Sequence, residues 1–301
     1  PKGTEEITAL AKRPGFVKET KFIYYEDNFA RVPQLTMVWP TVESYHPDAY
    51  ALDVLSQYLT EGKSAPLNQV LIADLKLTSY ASMYSRNSEL AGEIQVSVRA
   101  FNEGHLMEIK AGIEKAFLKF ENEGISVKDL NRIKAGQETS FYRSLSSVLG
   151  KGNNLASYNT YLGNPGFATE DIKRTLAVTP ADVQRVYEKY IKNKNYIATS
   201  FVPKNSAELA LTGSKLAEII EEKIITGAEE SFDPKIAATY EKTTSSFDRS
   251  IEPKYGKTPA LAVPEVYESS LENGLKIYGI ENNEVPLIRF NLIVNGGQLL
   301  E

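Results

Sequence analysis

His105, Glu108 and Ile109 lie in the run His-Leu-Met-Glu-Ile, a spacing that invites a test for zinc chemistry. The inverted zinc motif is His-x-x-Glu-His on a helix, where both imidazoles hold the metal and the glutamate activates water. His105 and Glu108 match its first and fourth positions, but Ile109 stands where the second imidazole belongs. One imidazole and one carboxylate do not complete a catalytic zinc set. Ile109 also belongs to an apolar stripe, so His105 reads as a partly exposed first-turn histidine on a packed helix. His46, ahead of Pro47 and Asp48, reads as a solvated turn at a helix start.

Gly62-Lys63-Ser64 resembles the end of a phosphate-binding loop, which needs Gly-x-x-x-x-Gly-Lys-Ser/Thr after a strand. The early glycine position holds Gln57, inside a helical pattern, so the stretch reads as a turn between two helices. Gly-x-Ser-x-Gly is absent. The chain has no cysteine, which removes disulfides and thiolate metal sites. No residue is therefore assigned a catalytic or metal-binding role. Tyr24, Tyr25, Tyr80, Tyr84, Tyr158 and Tyr161 supply aromatic surface, for a peptide-facing wall or for half-buried sheet positions.

The elements that would carry these side chains are read from periodicity. Strands are expected at Lys21–Glu26, Gln34–Trp39, Thr78–Ser85 and Glu93–Phe101, the last with Ile94, Val96, Val98 and Ala100 on one face. A helix over 48–59 carries Leu52, Leu55 and Leu59. Ser64 is expected to cap a second, with Leu67, Val70, Leu71 and Leu75 as its stripe. A long helix starts near His105, and Ser126 with Asp129 resembles a capping box for another that runs to about Leu149, ended by Gly150 and Gly152. A short helix over Asn154–Tyr161, helices beginning at Thr169 and Thr179, and a strand ending at Pro203 complete the run. Strands come in adjacent pairs, which predicts an α+β fold: a mostly antiparallel sheet built from hairpins, with helices packed on one face.

The chain has 301 residues, 42% hydrophobic and 24% charged, the balance of a globular protein of one large or two ordinary domains. A net charge of -5 argues against a nucleic-acid partner. No apolar run approaches the ~18 residues of a membrane span. Residues 1–19 read as a lead-in, 20–203 as the main domain and 204–262 as a linker with a helical patch near Leu216–Ile225. Residues 263–301 read as a new hairpin, its strands joined at Asn282-Asn283. An isolated hairpin is marginal in water, so this one is expected to pack on the main domain or pair with another molecule. Starting at Pro1 and stopping at Glu301, the chain reads as a piece of a longer polypeptide.

Three stretches carry a family resemblance. Phe29–Ile72, with "FARVPQLTMVWPTVESYHPDAYALDVL", resembles the opening of the non-catalytic domain of pitrilysin/insulinase-type zinc metallopeptidases. Leu176–Pro203, "LAVTPADVQRVYEKYIKNKNYIATSFVP", resembles that domain's closing helix and strand, and Val263–Gly297 resembles the first hairpin of the next repeat. The resemblance implies a chain holding the second domain, the linker between two halves, and the start of the third domain. In such enzymes the halves close around a peptide, and zinc sits in the first domain.

The resemblance thus implies no zinc ligand or catalytic residue in this chain, with zinc expected in an upstream domain. Its implied partners are a peptide or unfolded polypeptide and the other domains of the parent protein. A Tyr and an Arg hold substrate in the family's last domain. Tyr80 matches the Tyr, as a candidate for substrate binding, while Ile72 and Ala73 stand where the Arg would be. The expected function is a structural, substrate-enclosing part of a zinc metalloendopeptidase. The alternative is a non-catalytic peptide-binding or assembly module from a degenerate family member. No targeting signal fixes a compartment; bacterial periplasm or cell envelope is the expectation.

Overall fold

The computed structural model describes residues 10–13, 15–101, 104–219, 246–248, 250–252, 254–258, 260, 263–294 and 296. Contacts divide the chain into two units, residues 10–218 with 284–301, and residues 1–9 with 219–283.

The first unit is built on a six-stranded sheet in the order β3-β4-β2-β5-β1-β6. Its strands are β1 (Lys21–Asp27), β2 (Gln34–Thr41), β3 (Ala81–Asn87), β4 (Gly92–Arg99), β5 (Ile197–Pro203) and β6 (Lys215–Leu216). Alternation selects one buried face: Leu35, Met37 and Trp39 from β2, Ile94, Val96 and Val98 from β4, Ala198 and Val202 from β5. The opposite face carries Gln34, Thr36, Gln95, Ser97 and Arg99, all partly or fully exposed. The helices are α1 (Pro47–Thr60), α2 (Leu106–Glu123), α3 (Val127–Ser144), α4 (Val148–Leu162), α5 (Ala168–Ala177) and α6 (Pro180–Tyr190). Helices α1, α2 and α6 pack against the buried face.

The expected hairpin of β3 and β4 forms, with Ala81 opposite Val98 and Asn87 opposite Gly92. The expected pairing of β1 with β2 does not. β5 lies between them, parallel to β1 (Ile23 beside Thr199) and antiparallel to β2 (Thr36 beside Thr199). Three pairings are antiparallel and two parallel, since β6 also runs parallel to β1. Past Pro203 the chain stays with the sheet: Leu209 and Leu211 are buried, and the Leu211 amide donates to Ser200 Oγ at 3.1 Å.

Several helix boundaries differ from the sequence expectation, each for a local reason. α3 stops at Ser144 rather than near Leu149, because Ser147 accepts from the Gly150 amide and caps a new helix. α4 then runs through Gly150 and Gly152 to Leu162, where Gly163 takes the left-handed conformation at φ 66°. Ser126 accepts from the Asp129 amide as expected, and Thr179 with Asp182 forms a full capping box. The helix expected after Ser64 is π-helical over Asn68–Asp74, and its Leu75 is exposed. Asn68 reaches back to the carbonyls of Thr60 (2.7 Å) and Gly62 (2.9 Å), satisfying the end of α1. Leu71 lies so close to Gly112 that a Cβ there would meet its Cδ2 at 2.5 Å.

Asp48 fastens the two ends of this chain segment together. It is buried in the first turn of α1, and three donors from α6 reach it: Arg185 Nη1 at 2.6 Å, Lys189 Nζ at 2.7 Å and Tyr190 Oη at 2.6 Å. Burial alone would raise its carboxyl, but hydrogen bonds from Lys189, Tyr190 and Arg185 outweigh that and hold it well below the ordinary aspartate range. On the same helix, the Tyr187 ring packs on Phe120 and Phe117 of α2, at 5.1 and 5.8 Å, while its hydroxyl donates to Glu121 at 2.7 Å.

In the second unit, β7 (Val266–Ser270) and β8 (Lys276–Ile280) form an antiparallel hairpin. Its turn is at Asn273-Gly274, not at Asn282-Asn283, because Gly274 adopts φ 84° and Asn273 Oδ1 accepts from the Leu275 amide. Tyr267 covers Gly279 across the pair, yet all of β7 and most of β8 are exposed. Residues 284–294 form no strand. The helical patch expected near Leu216–Ile225 lies outside the described residues from residue 220 on, and its Leu216 belongs to β6.

Asp48→Asn is expected to lower unfolding stability at pH 7 by about 2 kcal/mol, less than a fully buried pair because Arg185 and Lys189 are half exposed. A depressed folded value means stability present above the unfolded value of 3.8 and lost as pH falls. The difference between variant and wild type should therefore be full at pH 7 and shrink below pH ~4, as read by denaturant unfolding. An equal loss at pH 3 and pH 7 counts against the assignment.

Candidate functional site

The predicted candidates separate in the structure. His105 is exposed at the N-cap of α2 and its side chain makes no capping hydrogen bond, while Ile109 is buried in the core. His46 is not simply a solvated turn: it is the N-cap of α1, and its Nδ1 accepts from the Asp48 amide at 3.0 Å. Tyr80 is 68% exposed at the entrance to β3. It borders a cleft of about 330 Å³ on the uncovered side of the sheet, with Gln34, Ser82, Ser97 and Arg99. Thr78 Oγ1 fixes the backbone there, donating to the Arg99 carbonyl at 2.6 Å, within 2.9 Å of the Tyr80 carbonyl, and accepting from the Tyr80 amide. Ile72 lies in the π-helical turn, half-buried, beside the exposed Ala73.

A larger cavity, about 660 Å³, opens between α1, α3 and α5. Helical spacing builds its walls. Tyr50, Asp53 and Gln57 recur at three and four residues along α1; Ile133, Gln137 and Phe141 recur at four along α3. Gly136 faces open space, so no Cβ narrows the cavity at that position. Tyr45 closes one side from the loop before α1, at a φ of 63° that few tyrosines adopt. Its ring is held among Tyr158, Phe167 and Tyr161 at 5.4, 5.9 and 6.2 Å, and its carbonyl accepts from Arg174.

Asp171 on α5 receives two phenols, Tyr50 Oη and Tyr158 Oη, each at 2.7 Å. Burial and that carboxylate push both phenols well above the ordinary range, so both stay neutral donors. Asp53 is pushed up to about 7, first by burial and then by the charge of Asp171, against a hydrogen bond from Ser85. Arg132 lines the rim, 3.8 Å from Asp129 on its own helix.

The donor set of this cavity is carboxylate, amide, phenol and hydroxyl, with no imidazole. Among the described residues no three His, Asp or Glu converge as metal ligands. The described residues lining it do not fit a catalytic zinc. The arrangement suits binding. Sequence reading gave no role to Asp53, Gln137 or Asp171, and met Gln57 only as a helix residue where a phosphate loop needs glycine. Their signal was weak: polar residues flanking an apolar stripe, such as Asp53 between Leu52 and Val54.

Fold and cavity together define an α+β domain, one sheet with helices on a single face and a polar cavity among them. Residues 4–137 match the family model of the peptidase M16 inactive domain. The zinc protease PqqE of Helicobacter pylori is 30% identical over 153 residues, covering 49% of this chain and 33% of that protein. A protease structure from Helicobacter pylori superposes with a TM-score of 0.55 at 20% identity, over 60% of this chain and 44% of that one. The peptidase M16 inactive domain from Pseudomonas fluorescens gives 0.56 at 16% identity, over 68% and 48%. Over residues 4–137 the chain is thus similar to the inactive domain of the peptidase M16, or pitrilysin/insulinase, type, and its fold is that of the solved relatives. The match spans about a third of the curated relative and under half of either solved chain.

A raised folded value for Asp53 means the native state keeps a proton that the unfolded chain, at 3.8, releases. Stability is thus present below pH ~4 and lost as pH rises to about 7. Asp53→Asn, which mimics the protonated acid, should melt with wild type at pH 4 and above it by a few degrees at pH 8 in scanning calorimetry. A variant that melts below wild type at pH 8 contradicts this.

Proposed function

We propose that this chain is a structural, substrate-enclosing part of a zinc metalloendopeptidase of the pitrilysin/insulinase type, with the zinc held by another domain. The observation that supports it most is the inactive-domain match over residues 4–137 on a fold with no converging metal ligands among the described residues. A zinc protease as relative supports a zinc-bearing parent. In this reading residues 20–203 form the enclosing domain, 204–262 the linker and 263–301 the opening of the next repeat. The polar sheet face, with Tyr80 at its edge, is the wall presented to a peptide or unfolded polypeptide. Among the described residues no helix is long and apolar enough to cross a membrane.

The purified chain is expected to carry no stoichiometric zinc by elemental analysis and to leave a quenched fluorescent peptide library uncleaved. Zinc at one per chain, or cleavage, overturns the proposal. In the zinc-loaded parent, Tyr80→Ala should raise KM for peptide about threefold with little change in kcat, the pattern of a lost uniform binding contact. A parent that binds peptides tightly but cleaves none supports the binding-module reading instead.

A further inference from the structure

Among the described residues, the walls of the cavity between α1, α3 and α5 carry more acidic than basic groups. Asp53, Glu61 and Asp171 line it against the single guanidinium of Arg132, which lies beside Asp129. Tyr45, Tyr50 and Tyr158 are the other titratable groups facing these carboxylates, and all three phenols are pushed up and stay neutral. Arg174, from α5, is engaged with Glu170 at 2.9 Å and with the Phe167 ring at 5.0 Å. Independently of charge, Gln137 has a buried side-chain oxygen with no hydrogen-bond partner among the described residues. Buried acceptors are nearly always satisfied, so one left over beside a cavity points to an incoming donor. The flanking walls, Tyr45, Tyr50 and Phe141, offer the flat π surfaces on which a cation stacks.

We propose that this cavity binds one cationic side chain, a guanidinium or ammonium at the end of an alkyl stem, presented by a peptide. Its stem lies between the aromatic walls, and its N–H groups reach Asp53 and, once that side chain turns toward the cavity, the oxygen of Gln137. This rests on the peptide-binding role proposed above and adds a separate peptide contact on the helical side of the sheet, away from the polar face that Tyr80 borders. A volume of about 660 Å³ accommodates such a side chain with part of the backbone that carries it. The bound cation favours ionised Asp53, so binding expels a proton wherever Asp53 was protonated beforehand. Affinity therefore rises with pH through about 7.

Titration calorimetry with the full chain tests this, using a short extended peptide with one central arginine and the same peptide with citrulline, which keeps shape and removes charge. The arginine peptide should bind saturably, at least ~10-fold tighter than the citrulline peptide, and about 10-fold tighter at pH 8 than at pH 6. Asp53→Asn should abolish both differences. Gly136→Leu, which fills the open side of the cavity, should abolish binding while melting as wild type does. N-acetyl-arginine amide separates the sources: if it binds as tightly as the peptide, a free small cation is the ligand and the peptide assignment falls. Equal binding of the citrulline peptide, or no saturation into the millimolar range, overturns the proposal. Zinc content and peptide cleavage play no part in this readout, so its failure and that of the enclosing role are distinguishable.

Discussion

The position of β5 constrains everything else in the main unit. β1 and β2 are close in sequence yet do not touch along their edges, because β5 fills the slot between them. The sheet is continuous only once a strand from the far end of the domain has entered its middle. β5 brings Ala198 and Val202 to full burial, and Ser200 ties down the segment that follows. Residues 4–137, the part matched by the family model, therefore hold most of the core but not the strand that unites it.

The entry of β5 has to be guided, and α6 does that. The Thr179–Asp182 capping box starts α6 at a defined residue, and its basic and aromatic residues then meet Asp48 at the start of α1. α1 thereby serves two neighbours at once. Leu52, Leu55 and Leu59 seal the sheet, while Asp53 and Gln57 look toward α3 and α5. Anchoring one end of this helix fixes where its polar side lies, so the same contact that closes the fold also shapes the cavity. A carboxylate surrounded by donors and another raised first by burial and then by the charge of Asp171, five residues apart on one helix, are driven in opposite directions.

Much of this was legible before the structure. The alternation of Ile94, Val96 and Val98 marks β4, and Thr179 with Asp182 marks the start of α6, because both signals are local. The insertion of β5 was not legible, since parallel pairing between distant strands leaves no trace in either strand alone. The break at Ser147 was obscured by Gly150 and Gly152, which read as helix stops but are carried inside α4 once a side-chain cap restarts the chain. The turn at Asn273-Gly274 carries a standard hairpin signal that the Asn282-Asn283 pair outcompeted on paper. That Ile109 stands where a second imidazole would be was plain from the sequence. The cavity was not, because its polar residues come from three helices and only packing brings them together.

The central place of a late strand bears on how such a chain is made. A ribosome delivers the polypeptide from its N-terminus, and β1 and β2 emerge long before β5 is available to lie between them. Until then the facing edges of β1 and β2 have no mate, and the leucines of α1 have only part of their floor. The nascent domain must wait in an unfinished state with open strand edges, the form of chain that chaperones shield and that stray strands invade.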